Sequence, residues 1–147
     1  MGTMQGRSQV DGAALKLRLL YVDDDVVNLR VLAELLGAVG AEVVTAESGA
    51  AGLELLSVEA FDVLLLDIHM PNMNGFDVLA ALRASDGPNR DIPAIALTAD
   101  LSRDETGYKQ CGFDGFLPKP VTLRPVLQTI LAVMSARHRD PSGLRRA

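Results

Sequence analysis

Short apolar runs alternate with amphipathic stretches along this chain, and most changeovers fall at a glycine, a proline or a cluster of acids. The segment Leu15–Val22, "LKLRLLYV", has the leucine-rich character of a strand and stops at Asp23. In "NLRVLAELLGAVG", Leu29, Leu32, Leu36 and Val39 recur at helical spacing, and Gly40 is placed to end the helix. Ala41–Ala46 reads as a short strand. "SGAAGLELLSVEA" predicts a helix with Leu53 and Leu56 on one face and Ser48 as its N-cap. Asp62–Asp67, "DVLLLD", is apolar without interruption up to its last residue, as a strand covered on both faces should be. "GFDVLAALRAS" predicts the next helix, stopped by Gly87-Pro88, and Ile92–Thr98 the fourth strand. "SRDETGYKQCG" predicts a weak helix: Ser102 and Glu105 fit a capping box, but Gly107 lies inside it and its apolar anchors are sparse. Gly115–Pro118 is a short fifth strand. "TLRPVLQTILAVMSAR" is the last helix, with Leu123, Leu127, Ile130 and Met134 in register and Pro125 in the first turn, where proline is tolerated.

Strands that alternate with helices need crossover connections, which make the sheet parallel and put helices on both of its faces. The expected fold is therefore α/β, a doubly wound five-stranded sheet. Residues 1–14 and 140–147 read as tails around a single domain over 15–139. The totals agree: 147 residues with 48% hydrophobic content make one globular domain with a sizeable core. A net charge of −5 argues against nucleic acid as a direct partner, because phosphate contacts need a basic face. No apolar run approaches the ~20 residues of a membrane span, so no membrane insertion is expected. The start, "MGTMQGRSQVDG", lacks the apolar centre of a secretion signal. Cys111 is the only cysteine, which excludes a disulfide within the chain, and it reads as a packed small apolar residue. A cytoplasmic location is the expectation.

In a doubly wound sheet, ligands bind outside the carboxyl ends of the strands. Asp23, Asp24 and Asp25 follow the first strand, Asp67 ends the third, Thr98 ends the fourth, and Lys119-Pro120 follow the fifth. Four separate segments thus bring carboxylates, a hydroxyl and an ammonium to one edge. A charged group ending a buried strand is costly unless it is paired or placed there to react. Clustered carboxylates repel unless a cation joins them, and oxygen ligands suit Mg²⁺. Lysine offers a point charge to phosphate, and threonine a hydroxyl donor. Metal, lysine and hydroxyl around one carboxylate describe a site for making and holding an aspartyl phosphate.

The motifs "LLYVDDD", "LLLDIHMPNMNGFDVL", "ALTA" and "LPKP", in this order within Leu17–Met134, resemble the receiver domain of two-component response regulators. The resemblance implies a flavodoxin-like sheet of strand order 2-1-3-4-5 and a phosphoacceptor switch. Asp67 would take a phosphoryl group from a phosphohistidine on a histidine kinase or histidine phosphotransfer protein. Asp24 would bind Mg²⁺ directly and Asp23 through water, with Asp67 and the backbone carbonyl of His69 completing the metal site. Thr98 and Lys119 would hold phosphoryl oxygens, and the bond before Pro120 would be cis. Thr98 and Phe116 would be the switch pair, Phe116 standing where the family frequently has tyrosine. A homodimer would form through the fourth helix, fifth strand and last helix. The chain would be no enzyme beyond its own phosphorylation and dephosphorylation. Asn28, in "VDDDVVNLRVL", resembles receivers of hybrid histidine kinases and phosphorelays. The domain would then be either a stand-alone regulator or a piece of a larger kinase.

The remaining polar residues have plainer readings. Asp25 is expected to serve only as a charge favoured at a helix N-terminus. The His69 side chain is expected to be an exposed loop group, and Asp100 to tune water access to the phosphoryl group. Three other functions compete with the switch. A phosphohydrolase with an aspartate nucleophile commonly carries a second acid two residues on, where this chain has His69. Nucleotide or flavin binding favours a Gly-rich turn after the first strand, where this chain has three acids. A receiver kept only for protein contact does not need the complete set of acids, hydroxyl and lysine.

Overall fold

A computed structural model describes residues 16–139; the tails expected over 1–14 and 140–147 lie outside the described residues. The elements run β1 (Arg18–Val22), α1 (Val26–Ala38), β2 (Glu42–Ala46), α2 (Gly49–Val58), β3 (Val63–Asp67), α3 (Gly75–Ala84), β4 (Ala94–Thr98), α4 (Glu105–Gln110), β5 (Gly115–Pro118) and α5 (Leu123–Arg139). All neighbouring strands pair in parallel, in the order β2-β1-β3-β4-β5. The fold expected from the alternation, and the strand order implied by the resemblance, are both present.

The uninterrupted apolar runs follow from burial on two sides. Successive strand residues point to opposite faces. Leu20 and Val22 of β1, Leu64 and Leu66 of β3, and Ala94 and Ala96 of β4 pack with Leu56, Val78, Leu79, Leu82 and Tyr108 of α2, α3 and α4. Leu19 and Tyr21, Val63 and Leu65, and Ile95 and Leu97 pack with Leu29, Leu32 and Leu36 of α1 and Val126, Ile130 and Val133 of α5. Each leucine buried in this way contributes ~1.5–3 kcal/mol. The central strands β1, β3 and β4 therefore have almost no room for polar residues. The edge strand β2 exposes Glu42 and Thr45.

Local signals set most boundaries. Ser48 caps α2, its hydroxyl accepting from the Ala51 N–H. Gly40, just beyond α1, has φ 104°, a left-handed conformation open to glycine. Asn74 and Asp77 form a reciprocal capping box on α3. Next to it, Gly75 packs where a Cβ would lie 2.8 Å from the Asp67 carbonyl oxygen and 2.9 Å from the Ile68 Cα. The loop after Asp67 can fold back this tightly only because residue 75 has no side chain.

Four readings need correction. α1 begins at Val26, because Asp25 is its N-cap and accepts from the Val27 and Asn28 N–H groups at 2.9 and 3.3 Å. Ser102 does not cap α4: Asp104 does, accepting from the Gly107 N–H, and the helix is only six residues long. Its anchoring is a single large one. Tyr108, 2% exposed, stacks on Phe116 with centroids 4.8 Å apart and also faces Phe76 and Phe113 at 6.0 and 6.1 Å. Cys111 is exposed and accepts a hydrogen bond from the Arg103 guanidinium. In α5 the fully buried line is Val126, Ile130 and Val133, with Leu123, Leu127 and Met134 flanking it. No helix among the described residues is long and apolar enough to cross a membrane.

Candidate functional site

The carboxyl edge of the sheet gathers the acids and the lysine. Asp23 follows β1 directly, and its N–H donates to the Ala46 carbonyl at the end of β2. Its side chain is wholly buried. Asp23 Oδ2 accepts from the Tyr21 hydroxyl at 2.7 Å and from Lys119 Nζ at 3.1 Å, while Oδ1 accepts from the Asp25 N–H at 2.9 Å. Asp67, the last residue of β3, is 3% exposed, and its Oδ1 accepts from the same Lys119 Nζ at 3.0 Å. Asp24 is exposed. Oxygens of Asp23, Asp24 and Asp67 lie within 4.8 Å of one another. Asp25 belongs to the helix cap and not to this group.

β4 and β5 supply the other side. Lys119 N–H donates to the Thr98 carbonyl at 2.8 Å, tying the lysine to the end of β4, and the Lys119–Pro120 bond is cis. The Thr98 side chain is wholly buried, and its hydroxyl oxygen accepts from the Asp100 N–H at 3.0 Å. Its hydroxyl hydrogen is not used by that contact and can be donated to a ligand. The His69 side chain is 59% exposed and its Nε2 lies 3.4 Å from Asp100 Oδ2, a contact between two loops that sequence reading missed. Phe116 is in the middle of β5, half-buried against Tyr108 and not at the cluster of acids.

The charges do not balance. Two buried carboxylates share one ammonium. Burial first, and then the charge of Asp23, push the Asp67 carboxyl from its ordinary 3.8 up to about 6, against the pull of Lys119. Burial acts to lower the Lys119 ammonium, but its bonds to Asp67 and Asp23 outweigh this and raise it. A divalent cation on the oxygens of Asp24 and Asp67 would supply the missing charge, so the residues fit Mg²⁺. The sequence signalled every one of these positions except Tyr21. That signal was also present: residues two apart on an extended chain face the same way, so Tyr21 stands beneath Asp23.

The family profile of the response regulator receiver domain matches residues 19–131. The chain is 36% identical over 131 residues to the sensor protein GacS of Pseudomonas syringae, covering 87% of this chain and 14% of that one. It is 38% identical over 122 residues to the transcriptional regulatory protein CpxR of Escherichia coli, covering 82% of this chain and half of that one. The chain thus spans a small part of the sensor kinases it matches. Among solved structures, the chemotaxis response regulator CheY4 of Vibrio cholerae superposes with a TM-score of 0.73 at 30% identity, covering 80% of this chain and 98% of that one. The receiver domain of the Pseudomonas aeruginosa sensor histidine kinase PA1611, which has a magnesium ion in its active-site cleft, superposes with a TM-score of 0.72 at 26% identity, covering 82% and 98% of the two chains.

Proposed function

The chain belongs to the response regulator receiver domain family of two-component signalling, and we propose that it works as a phosphoacceptor switch through Asp67. One observation carries this reading. The Asp67 carboxylate ends a buried strand, bonded at 3.0 Å to an ammonium and close to two further acids. Its oxygen attacks the phosphorus of a phosphohistidine on a histidine kinase or histidine phosphotransfer protein. An O–P bond forms, the P–N bond breaks, and the leaving imidazole carries away the proton it needs. Lys119 and the Thr98 hydroxyl then hold phosphoryl oxygens. Asp24, Asp67 and the His69 carbonyl would hold Mg²⁺, with Asp23 reaching it through water, and the ion would supply positive charge to the phosphoryl oxygens.

Asp67 attacks as the anion, so its raised value of about 6 leaves most of it competent at neutral pH. His69 occupies the position of a phosphohydrolase's second acid and turns its ring to Asp100, which favours the switch over a phosphohydrolase. A donor approaches along the start of α1. There Val26, Val27 and Val31 are half or more exposed, beside a cavity of about 150 Å³ lined by Asn28, Val31, Lys119 and Pro120. An exposed apolar patch at the rim of a charged site is the usual mark of a protein partner. The test is intact mass after incubation with acetyl phosphate and Mg²⁺. The wild-type chain should gain one labile phosphoryl group and Asp67→Asn none. Retained stoichiometric labelling of Asp67→Asn would rule out Asp67 as the sole acceptor.

A further inference from the structure

We infer that Tyr21 is a positioning residue for phosphorylation: its hydroxyl holds the buried Asp23 carboxylate in place when Lys119 leaves Asp23 for the phosphoryl group. The inference rests on the phosphoacceptor reading of Asp67.

Lys119 has two clients. Its ammonium lies 3.1 Å from Asp23 Oδ2 and 3.0 Å from Asp67 Oδ1, so it holds the two acids together. A phosphoryl group on Asp67 brings new anionic oxygens, and among the described residues the protein cation at Asp67 is this lysine. To reach them it must give up at least part of its bond to Asp23. Asp23 is wholly buried, and a buried carboxylate that loses a partner carries a large desolvation cost. That cost opposes the movement of Lys119, and something has to limit it.

The geometry shows what does. The oxygen that would lose the ammonium, Oδ2, is the one that accepts from the Tyr21 hydroxyl, at the shorter distance of 2.7 Å. The other oxygen stays with the Asp25 N–H. The Tyr21 ring is held by packing, although it also borders the cavity beside α1. It is 1% exposed, sits in a central strand and packs in the core beneath α1 and α5. The hydroxyl is therefore a fixed donor, while Lys119 is the mobile one. Hydrogen bonds to a charged group are roughly twice as strong as neutral ones, and this one strengthens when its competitor departs. The ring serves the core and the hydroxyl serves the site, so Tyr21→Phe separates the two roles.

The test uses the full chain and two ligands, Mg²⁺ alone and beryllofluoride, a phosphoryl mimic, at saturating Mg²⁺. In Tyr21→Phe the Mg²⁺ dissociation constant should stay within about threefold of wild type. The beryllofluoride constant should rise about tenfold, because the bond removed is stronger in the bound state, where Lys119 has left Asp23 Oδ2. In an Asp23→Asn background, where no buried anion competes for Lys119, the same Tyr21→Phe change should have no effect on beryllofluoride. A purely structural role would weaken both ligands alike, or act equally in both backgrounds, and either result overturns the inference. If wild type binds beryllofluoride and Tyr21→Phe binds it equally well, the inference falls and the phosphoacceptor reading stands. If wild type itself binds none, both fall.

Discussion

Asp67 is held where ionising its carboxyl costs more than in the unfolded chain. Its carboxyl is pushed from 3.8 to about 6, first by burial and then by Asp23, so ionising it works against folding. A carboxyl with a higher value in the folded chain contributes stability that is fully present below the unfolded value and is lost as pH rises through the folded one. In metal-free buffer Asp67→Asn should therefore be more stable than wild type at neutral pH, by on the order of 2 kcal/mol, and the advantage should vanish near pH ~4. Thermal melts at the two pH values measure this, and an advantage that grows on acidification would contradict it. The acids after β1 divide differently. Asp24→Ala should lose most Mg²⁺ affinity in a calorimetric titration. Asp25→Ala should leave that affinity nearly intact and instead cost about 1 kcal/mol of stability, because it removes the α1 cap. Equal losses of affinity would reverse the assignment.

The loop between β3 and α3 and the short α4 set the site's geometry at the next scale. In Gly75→Ala the new methyl would meet the Asp67 carbonyl and the Ile68 Cα, backbone atoms that cannot step aside. A loss of ~1–3 kcal/mol in denaturant melts is expected, together with weaker Mg²⁺ binding as the Asp67 loop shifts. α4 is the element through which a signal would leave. Phe116 is already stacked on Tyr108, so an inward turn that follows Thr98 toward a phosphoryl group must slide or break that stack. Adding beryllofluoride with Mg²⁺ should change amide exchange between Thr98 and Phe116 and along α5; silence over 102–112 would exclude this route. These two elements also mark the limit of what the sequence disclosed. Helices with several buried leucines were legible because their period repeats over three turns. α4 was legible only as a weak helix, without its cap or its packing, since its six residues carry one anchor and that anchor's partners Phe76, Phe113 and Phe116 come from other segments. The cap lies two residues beyond the expected Ser102, at Asp104, whose side chain accepts from the Gly107 N–H.

Across the whole molecule, the alternation of elements was enough to predict parallel strands, because only crossovers can join them. Their order was legible only through resemblance, since neither period nor composition states which strand lies next to which. The site depends on that order. Lys119 reaches Asp23 across 96 positions and Asp67 across 52, and it is the cation that holds both buried acids. In metal-free buffer Lys119→Met should lower stability by on the order of 2–3 kcal/mol, and Mg²⁺ should raise its melting temperature more than that of wild type. An equal rise in the two chains would show that lysine and metal do not share the same charges. This span has a consequence during synthesis. The acids emerge from the ribosome well before the lysine, so a half-made chain that joins β1 to β3 traps like charges together with no counterion. The counterion for those acids would come only with β5, at the far edge of the sheet. The residue that arrives last at the site is thus the one that joins its two buried acids.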